Sequence, residues 1–319
     1  MKFNILPIAG DASFRRFYRL KLNKSSRILV FATRDKYKNL IAYSSVNKFL
    51  RNNKILAPKL YSYNFSKGFI IIEDFGNLSF YKILLRSKNK LIIYKKLVDL
   101  LIKIQKIRPK NKIINLNKTS HKINKYSKKY LFKETNLFFD WYLPMFLTKK
   151  KAINIKKKSN KILFKIYNKL NFSNSYFVHR DYHVQNLMKV GKKIGVIDSQ
   201  DTLIGNPAYD LVSLIDDVRI TTSRKLKNQI YTYYLKKNSK INTKDFFEDF
   251  NILSVQRSLK IIGIFSRLFL RDRKKQYLKY IPYTWQLLKT RMNHKIFSEL
   301  NAILIKNIPK KFMKKIIYK

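Results

Sequence analysis

A chain of 319 residues with 45% apolar side chains can bury a substantial core, which excludes a disordered tail, and its lack of cysteine excludes a disulfide framework or a cysteine metal site. The net charge of +52 is spread along the whole chain in company with abundant Asn and Ile, which share A/T-rich codons with Lys. Base composition therefore accounts for the charge better than a nucleic-acid groove, and nucleic acid is not an expected partner. No apolar run reaches the ~18 to 20 residues of a membrane span. The N-terminal apolar run to Ile8 is too short for a signal peptide, so a soluble cytoplasmic protein is expected.

In chain order, residues 3–33 read as strands with turns. Gly10-Asp11-Ala12-Ser13 leads into a β-rich run through Arg15, Arg16 and Arg19, and Asn23 to Ser26 turns into Arg27 to Ala32. A turn at this place suits a loop that covers nucleotide phosphates. Only seven glycines occur and none clusters, so neither G-x-G-x-x-G nor G-x-x-x-x-G-K-[ST] is present, and a Rossmann or P-loop site is excluded. Ser13 with its neighbouring amides, and Arg15, Arg16 or Arg19, are left as candidate phosphate contacts; the alternative for each arginine is a solvated strand face.

Asn39 to Asn52 has helical apolar spacing and Ala57-Pro58 stops it. Lys59 to Asn77 reads as a hairpin turning at Ser66-Lys67-Gly68, whose second, fully apolar strand ends at Glu73-Asp74. That strand would close a small sheet domain; by analogy with kinase folds the backbone of Ile72 to Phe75 would be the adenine-binding hinge, with Glu73 and Phe75 as candidate nucleotide contacts, although an ordinary strand leaving a sheet predicts the same residues. Leu78 to Ile107 and Tyr126 to Leu170 read as long amphipathic helices. Pro207 to Val218 starts another, and Lys244 to Lys319 reads as mostly helical, broken at Pro282 and Pro309.

Phe177 to Gln200 carries the chemistry. His179, Arg180 and Asp181, with Asn186 after them, match the spacing H-R-D-x-x-x-x-N of kinase catalytic loops. Phosphoryl transfer needs one carboxylate to orient the attacking hydroxyl and accept its proton, and separate oxygen ligands for magnesium. Asp181 suits the first task. Asn186 offers a neutral amide oxygen, and Asp198, after the apolar run Ile194 to Ile197, delivers a carboxylate as the aspartate of D-F-G does, although Phe-Gly is absent.

These segments together resemble the aminoglycoside phosphotransferase superfamily, and within it the bacterial anomeric kinases of N-acetylmuramate and N-acetylglucosamine used in cell-wall recycling. The resemblance is carried by GDASFRRFYRL at 10–20, GFIIIEDFGN at 68–77, LFFDWYL at 137–143, IDSQDTLIGNPAYDLVSL at 197–214 and the block from Gln256 to Pro282. It covers the chain nearly end to end. It implies an α+β, bilobal protein-kinase-like fold, with residues 1–75 as a small β-rich lobe over the nucleotide and 76–319 as a helical lobe with the catalytic loop and acceptor site. It also implies ATP and Mg2+ as cofactors, Asp181 as the base, Asn186 and Asp198 as metal ligands, and an amino sugar as acceptor; a monomer is expected.

Glu134, Trp141 and Asp201 are the acceptor candidates, since an indole can stack on a pyranose and a carboxylate can hold its hydroxyls. Tyr142 is expected in the core, and Asp210 either touches the acceptor loop or starts a helix. Three departures stand out. Phe31-Ala32-Thr33-Arg34 replaces the family's M-D-A-P, no lysine sits in a V-A-I-K setting with an acid on the following helix, and Ser199 replaces the aromatic residue after the metal aspartate. Arg34, Lys36 or an N-terminal arginine would have to take the place of that lysine. A kinase of the same fold acting on an aminoglycoside, choline or another sugar is the alternative, with a basic pseudokinase that binds nucleic acid behind it.

Overall fold

Alternation of apolar side chains builds the first layer. The structure, a computed structural model, describes residues 4–8, 15–22, 25–33, 37–114 and 120–314. β1 (Asn4–Ile8), β2 (Arg16–Leu22), β3 (Ser25–Phe31), β4 (Leu60–Asn64) and β5 (Phe69–Glu73) form an antiparallel sheet in the order β1-β2-β3-β5-β4. Ile28 faces Ile72 across β3 and β5, and Val30 faces Ile70. All four are buried in one cluster with Leu40 and Tyr43 of α1 (Tyr37–Asn52), because every second residue of a strand points to the same face.

Sequence and structure differ where the helices break. The run from Leu78 to Ile107 is two helices, α2 (Phe80–Arg86) and α3 (Lys90–Gln105), with Asn89 capping the second by accepting from the Ile92 amide. A short ribbon follows, β6 (Lys112–Ile114) paired with β7 (Ser120–Lys122). The run from Tyr126 to Leu170 is α4 (Lys128–Leu137), a π-helical turn at Phe138–Tyr142, a 3-10 turn containing Pro144, and α5 (Lys149–Tyr167). Pro144 cannot donate to a continuing helix, and Thr148 caps the next one.

β8 (Tyr176–Val178) precedes the catalytic loop, and the hairpin of β9 (Leu187–Val190) and β10 (Lys193–Val196) follows it. β11 (Leu203–Gly205) pairs with β8. The rest is helical: α6 (Ala208–Ile215), α7 (Arg224–Lys237), α8 (Thr243–Leu270), α9 (Ile281–Met292), α10 (Ser298–Asn307) and α11 (Lys310–Lys314). Pro282 begins α9 rather than ending a helix, as its fixed φ and missing amide hydrogen allow in a first turn.

The chain divides into two compact units, 1–125 with 175–204 and 126–174 with 205–319. The sheet, α1 to α3 and the catalytic segments belong to the first. In the second, α8 is the central helix, buried along most of its length and capped by Asn242, which accepts from the Lys244 and Asp245 amides. A Cβ on Gly263 would lie 2.2 Å from the Leu137 carbonyl carbon, so glycine is what lets α8 approach the end of α4. Among the described residues no helix is long and apolar enough to cross a membrane.

Candidate active site

The candidate catalytic loop is held by its own backbone. The His183 amide donates to the Asp181 carbonyl at 2.9 Å, and the Asn186 amide to the His183 carbonyl at 2.9 Å. Asn186 Nδ2 donates to the Asp181 carbonyl at 3.1 Å, which fixes the amide plane of Asn186 against the loop. Tyr182, fully buried, donates its hydroxyl to the Leu97 carbonyl of α3 at 2.8 Å, and the Tyr81 amide of α2 donates to the Val184 carbonyl at 3.0 Å. Helices α2 and α3 thus brace the loop, and the Asp181 side chain stays half-buried.

The second candidate segment is tied directly to the first. Leu187 faces Val196 in the β9–β10 register, and the Ile197 amide donates to the Asn186 carbonyl at 3.0 Å. Asn186 and Asp198 therefore flank the same end of one hairpin. A Cβ on Gly195 would sit 2.5 Å from the Phe75 ring, so the ring of the expected hinge packs on this hairpin. Two residues here take left-handed backbone, Arg180 with φ 72° and Asp198 with φ 67°, conformations that cost free energy in non-glycine residues and cluster at functional loops.

Charge around the loop is organised by arginines. Arg15, buried, donates from Nη2 to Asp198 Oδ1 and from Nη1 to Gln200 Oε1 at 3.0 Å. Arg180 Nη1 donates to the Asp201 carbonyl at 3.0 Å. Burial and the neighbouring Asp198 carboxylate push the Tyr43 hydroxyl up to about 12, so it stays protonated. Burial depresses the His179 imidazole below its ordinary value, against the upward pull of Asp181 and Asp198.

The other candidate residues fall into different surroundings. Ser13, Arg34 and Lys36 lie outside the described residues. Arg16 is exposed on β2. Arg19 pairs with Asp74 at 2.5 Å. Burial would raise that carboxyl, but Arg19, Ser26 and the Gly76 amide outweigh it and hold it below the ordinary value. Glu73, at the end of β5, accepts from Arg51 at 3.2 Å and from the Lys59 amide at 3.0 Å. Phe75 is buried against Gly195.

Of the acceptor candidates, exposed Asp201 belongs to the first unit and accepts from Gln200 Nε2 at 3.0 Å. Glu134 and Trp141 belong to the second. Glu134 is buried: it pairs with Lys260 at 2.9 Å and accepts from Gln256 Nε2 at 3.0 Å and from the Tyr126 hydroxyl. Trp141 is half-buried in the π-helical turn. Tyr142 is in the core as expected, donating to the Phe312 carbonyl at 2.7 Å, and Asp210 is buried in the first turn of α6. A cavity of about 180 Å³ in the second unit is lined by Tyr126, Tyr167, Asn174 and Asn206, among others, but by neither Glu134 nor Trp141.

Sequence reasoning missed Tyr43, Asn47 and Gln200. Asn47 of α1, buried, accepts from the Ser199 hydroxyl at 2.7 Å, so the serine that replaces the family's aromatic residue is bound by a hydrogen bond instead of by ring packing. Polar residues on the inner face of α1 (Ser44, Ser45 and Asn47, all buried) were the available signal.

The donor set suits magnesium. Among the described residues no three His, Asp or Glu side chains cluster as a metal cage. One carboxylate and one amide oxygen at the end of a hairpin is instead the sparse protein contribution typical of Mg2+, which fills its octahedron with phosphate oxygens and water.

Known proteins resemble this chain in sequence and in fold. The family model described as "Phosphotransferase enzyme family" matches residues 4–241. An N-acetylmuramate/N-acetylglucosamine kinase of Pseudomonas aeruginosa is 28% identical over 90% of this chain and 83% of its own, and one of Neisseria meningitidis 26% identical over 88% and 83%. The solved aminoglycoside phosphotransferase APH(2'')-Ib, ADP-bound, superposes with a TM-score of 0.61 at 13% identity, covering 93% of this chain and 95% of its own. The bilobal kinase-like fold is thereby established, and the chain belongs to the phosphotransferase enzyme family.

Proposed function

We propose that this chain uses ATP and Mg2+ to phosphorylate the anomeric hydroxyl of N-acetylglucosamine or N-acetylmuramate. The observation that carries the reading is the Asp181 to Asn186 loop bonded through the Asn186 carbonyl to the strand end that delivers Asp198. Two curated relatives with the same pair of sugars in their names, each matched over most of its length, support the choice of acceptor.

In this reading Asp181 orients the sugar hydroxyl and takes its proton on a carboxylate oxygen. A hemiacetal hydroxyl is more acidic than an ordinary alcohol, so proton transfer late in a loose transition state needs no strongly raised carboxyl pKa. Asn186 Oδ1 and Asp198 would hold Mg2+, which neutralises charge on the transferring phosphoryl group. Residues 1–75 cover the nucleotide, with Ser13 and Arg16 toward its phosphates, Arg15 engaged instead with Asp198, and Glu73 and Phe75 at the adenine. Residues 76–319 carry the catalytic loop and the acceptor contacts Glu134, Trp141 and Asp201. We place a monomer in the cytoplasm, where ATP is supplied.

The test is ATP consumption over a panel of N-acetylglucosamine, N-acetylmuramate, glucose, choline and kanamycin. Preference in kcat/KM for the two N-acetylated sugars is expected. Preference for choline or kanamycin would replace the acceptor while leaving the kinase, and no ATP consumption with any of them would contradict the reading.

A further inference from the structure

Asp198 is gripped from two sides. Arg15 joins the Asp198 carboxylate to Gln200 Oε1, so one guanidinium spans the residue that would bind the metal and the turn that follows it. That guanidinium lies 5.4 Å from the Phe17 ring centroid and 5.6 Å from that of Tyr43, and its side chain is only 4% exposed. On the other side Ser199, fully buried, is bound to Asn47 of α1, and Thr202 Oγ1 closes the turn onto the Ser199 carbonyl at 2.7 Å. The left-handed backbone of Asp198 requires such over-determined surroundings.

Two further facts give this grip a direction. Arg15 meets Oδ1 of Asp198, and Oδ2 accepts no hydrogen bond among the described residues. β3 contains no lysine and α1 no acid, so the lysine–glutamate pair that orders kinase sites has no counterpart on these elements.

We propose that Arg15, seconded by Asn47, is a positioning residue for the metal carboxylate, fixing one oxygen of Asp198 so that the other meets the cation. A guanidinium is suited to this because it is permanently charged, planar and able to hold two acceptors in a fixed fork. Lysine would keep the charge but not the span from Asp198 to Gln200. The inference rests on reading Asp198 as a metal ligand. It differs from a direct phosphate contact, which would act on the nucleotide whether or not metal is present.

The experiment measures two affinities separately. Mn2+ binding is followed by electron paramagnetic resonance at saturating ADP, and ADP binding is followed with EDTA present. Arg15→Gln should weaken Mn2+ binding by ~10-fold or more, the size seen when outer-shell partners of metal ligands are lost, with ADP affinity in EDTA changed by less than ~3-fold. Arg15→Lys should fall between wild type and Arg15→Gln, and Asn47→Ala should move Mn2+ binding in the same direction by less. Unchanged Mn2+ affinity in Arg15→Gln, or an equal loss of ADP affinity in EDTA, overturns the proposal. Should Arg15→Gln lose its melting transition, wild-type Mn2+ affinity in both Arg15→Lys and Asn47→Ala overturns it. A wild-type protein that binds no Mn2+ with ADP present overturns the metal-site reading beneath it.

Discussion

Asp181 and His179 sit two residues apart and have different consequences when replaced. Changing Asp181 to Asn keeps the shape of the loop, whose bonds run through the Asp181 carbonyl, while removing the carboxylate we propose as proton acceptor. We expect kcat to fall by ~10²-fold or more with little change in ATP affinity, measured by steady-state kinetics and equilibrium nucleotide binding. We expect His179 to contribute to acid stability instead. Its pKa is depressed in the fold, so the unfolded chain binds its proton first, and the linked stability is present above about pH 6.5 and lost as pH falls below it. Melting curves at about pH 7.5 and about pH 5.5 should show a larger loss for the wild type than for His179→Gln; parallel losses would clear His179 of any part in acid stability. The H-R-D-x-x-x-x-N loop was legible because its spacing is local, and the Arg15 grip on Asp198 was not, since 183 residues separate the partners.

At the scale of elements, close approach and buried charge set the sensitive points. A methyl group on Gly263 would meet the Leu137 and Phe138 backbone at 2.2 to 2.5 Å, and backbone cannot step aside as a flexible side chain can. Gly263→Ala should cost about 3 kcal/mol in urea unfolding, the upper part of the range for overpacking; a change below ~0.5 kcal/mol would show that α8 can shift freely. Asp216, at the end of α6, is buried between Lys227 at 2.9 Å and Arg291 at 3.0 Å, with Ser254 donating at 2.7 Å. Burial raises its carboxyl, but the two cations outweigh it and bring it to about 2. Its stabilisation is therefore present above the ordinary carboxyl value of 3.8 and lost as pH falls toward about 2. Asp216→Ala, which leaves both cations without their carboxylate, should cost about 3 to 5 kcal/mol at neutral pH by denaturant titration. The strands of the first sheet and the hairpin turn at Gly68 could be read from sequence. The helix breaks near Ser87 and at Pro144 were missed although the sequence marks both, with five polar residues in a row from Arg86 to Lys90 and a proline inside a helical run.

For the whole molecule, the +52 charge is the property most open to misreading. Its spread along the entire chain, with no single arm or segment concentrating it, fits a compositional origin. Turnover should accordingly need no nucleic acid. Adding duplex DNA at about 0.15 M salt, where long-range attraction is screened beyond ~8 Å, should leave kcat within ~2-fold. A DNA-dependent rate would revive the binding reading.

The central claim is the position of transfer, and the product reports it directly. Incubating the wild-type protein with MgATP and N-acetylglucosamine, and assigning the product by phosphorus and carbon-13 NMR, should give phosphate on carbon 1, with the 1-O-methyl glycoside left unphosphorylated. Phosphate on carbon 6, or a phosphorylated methyl glycoside, would contradict anomeric transfer.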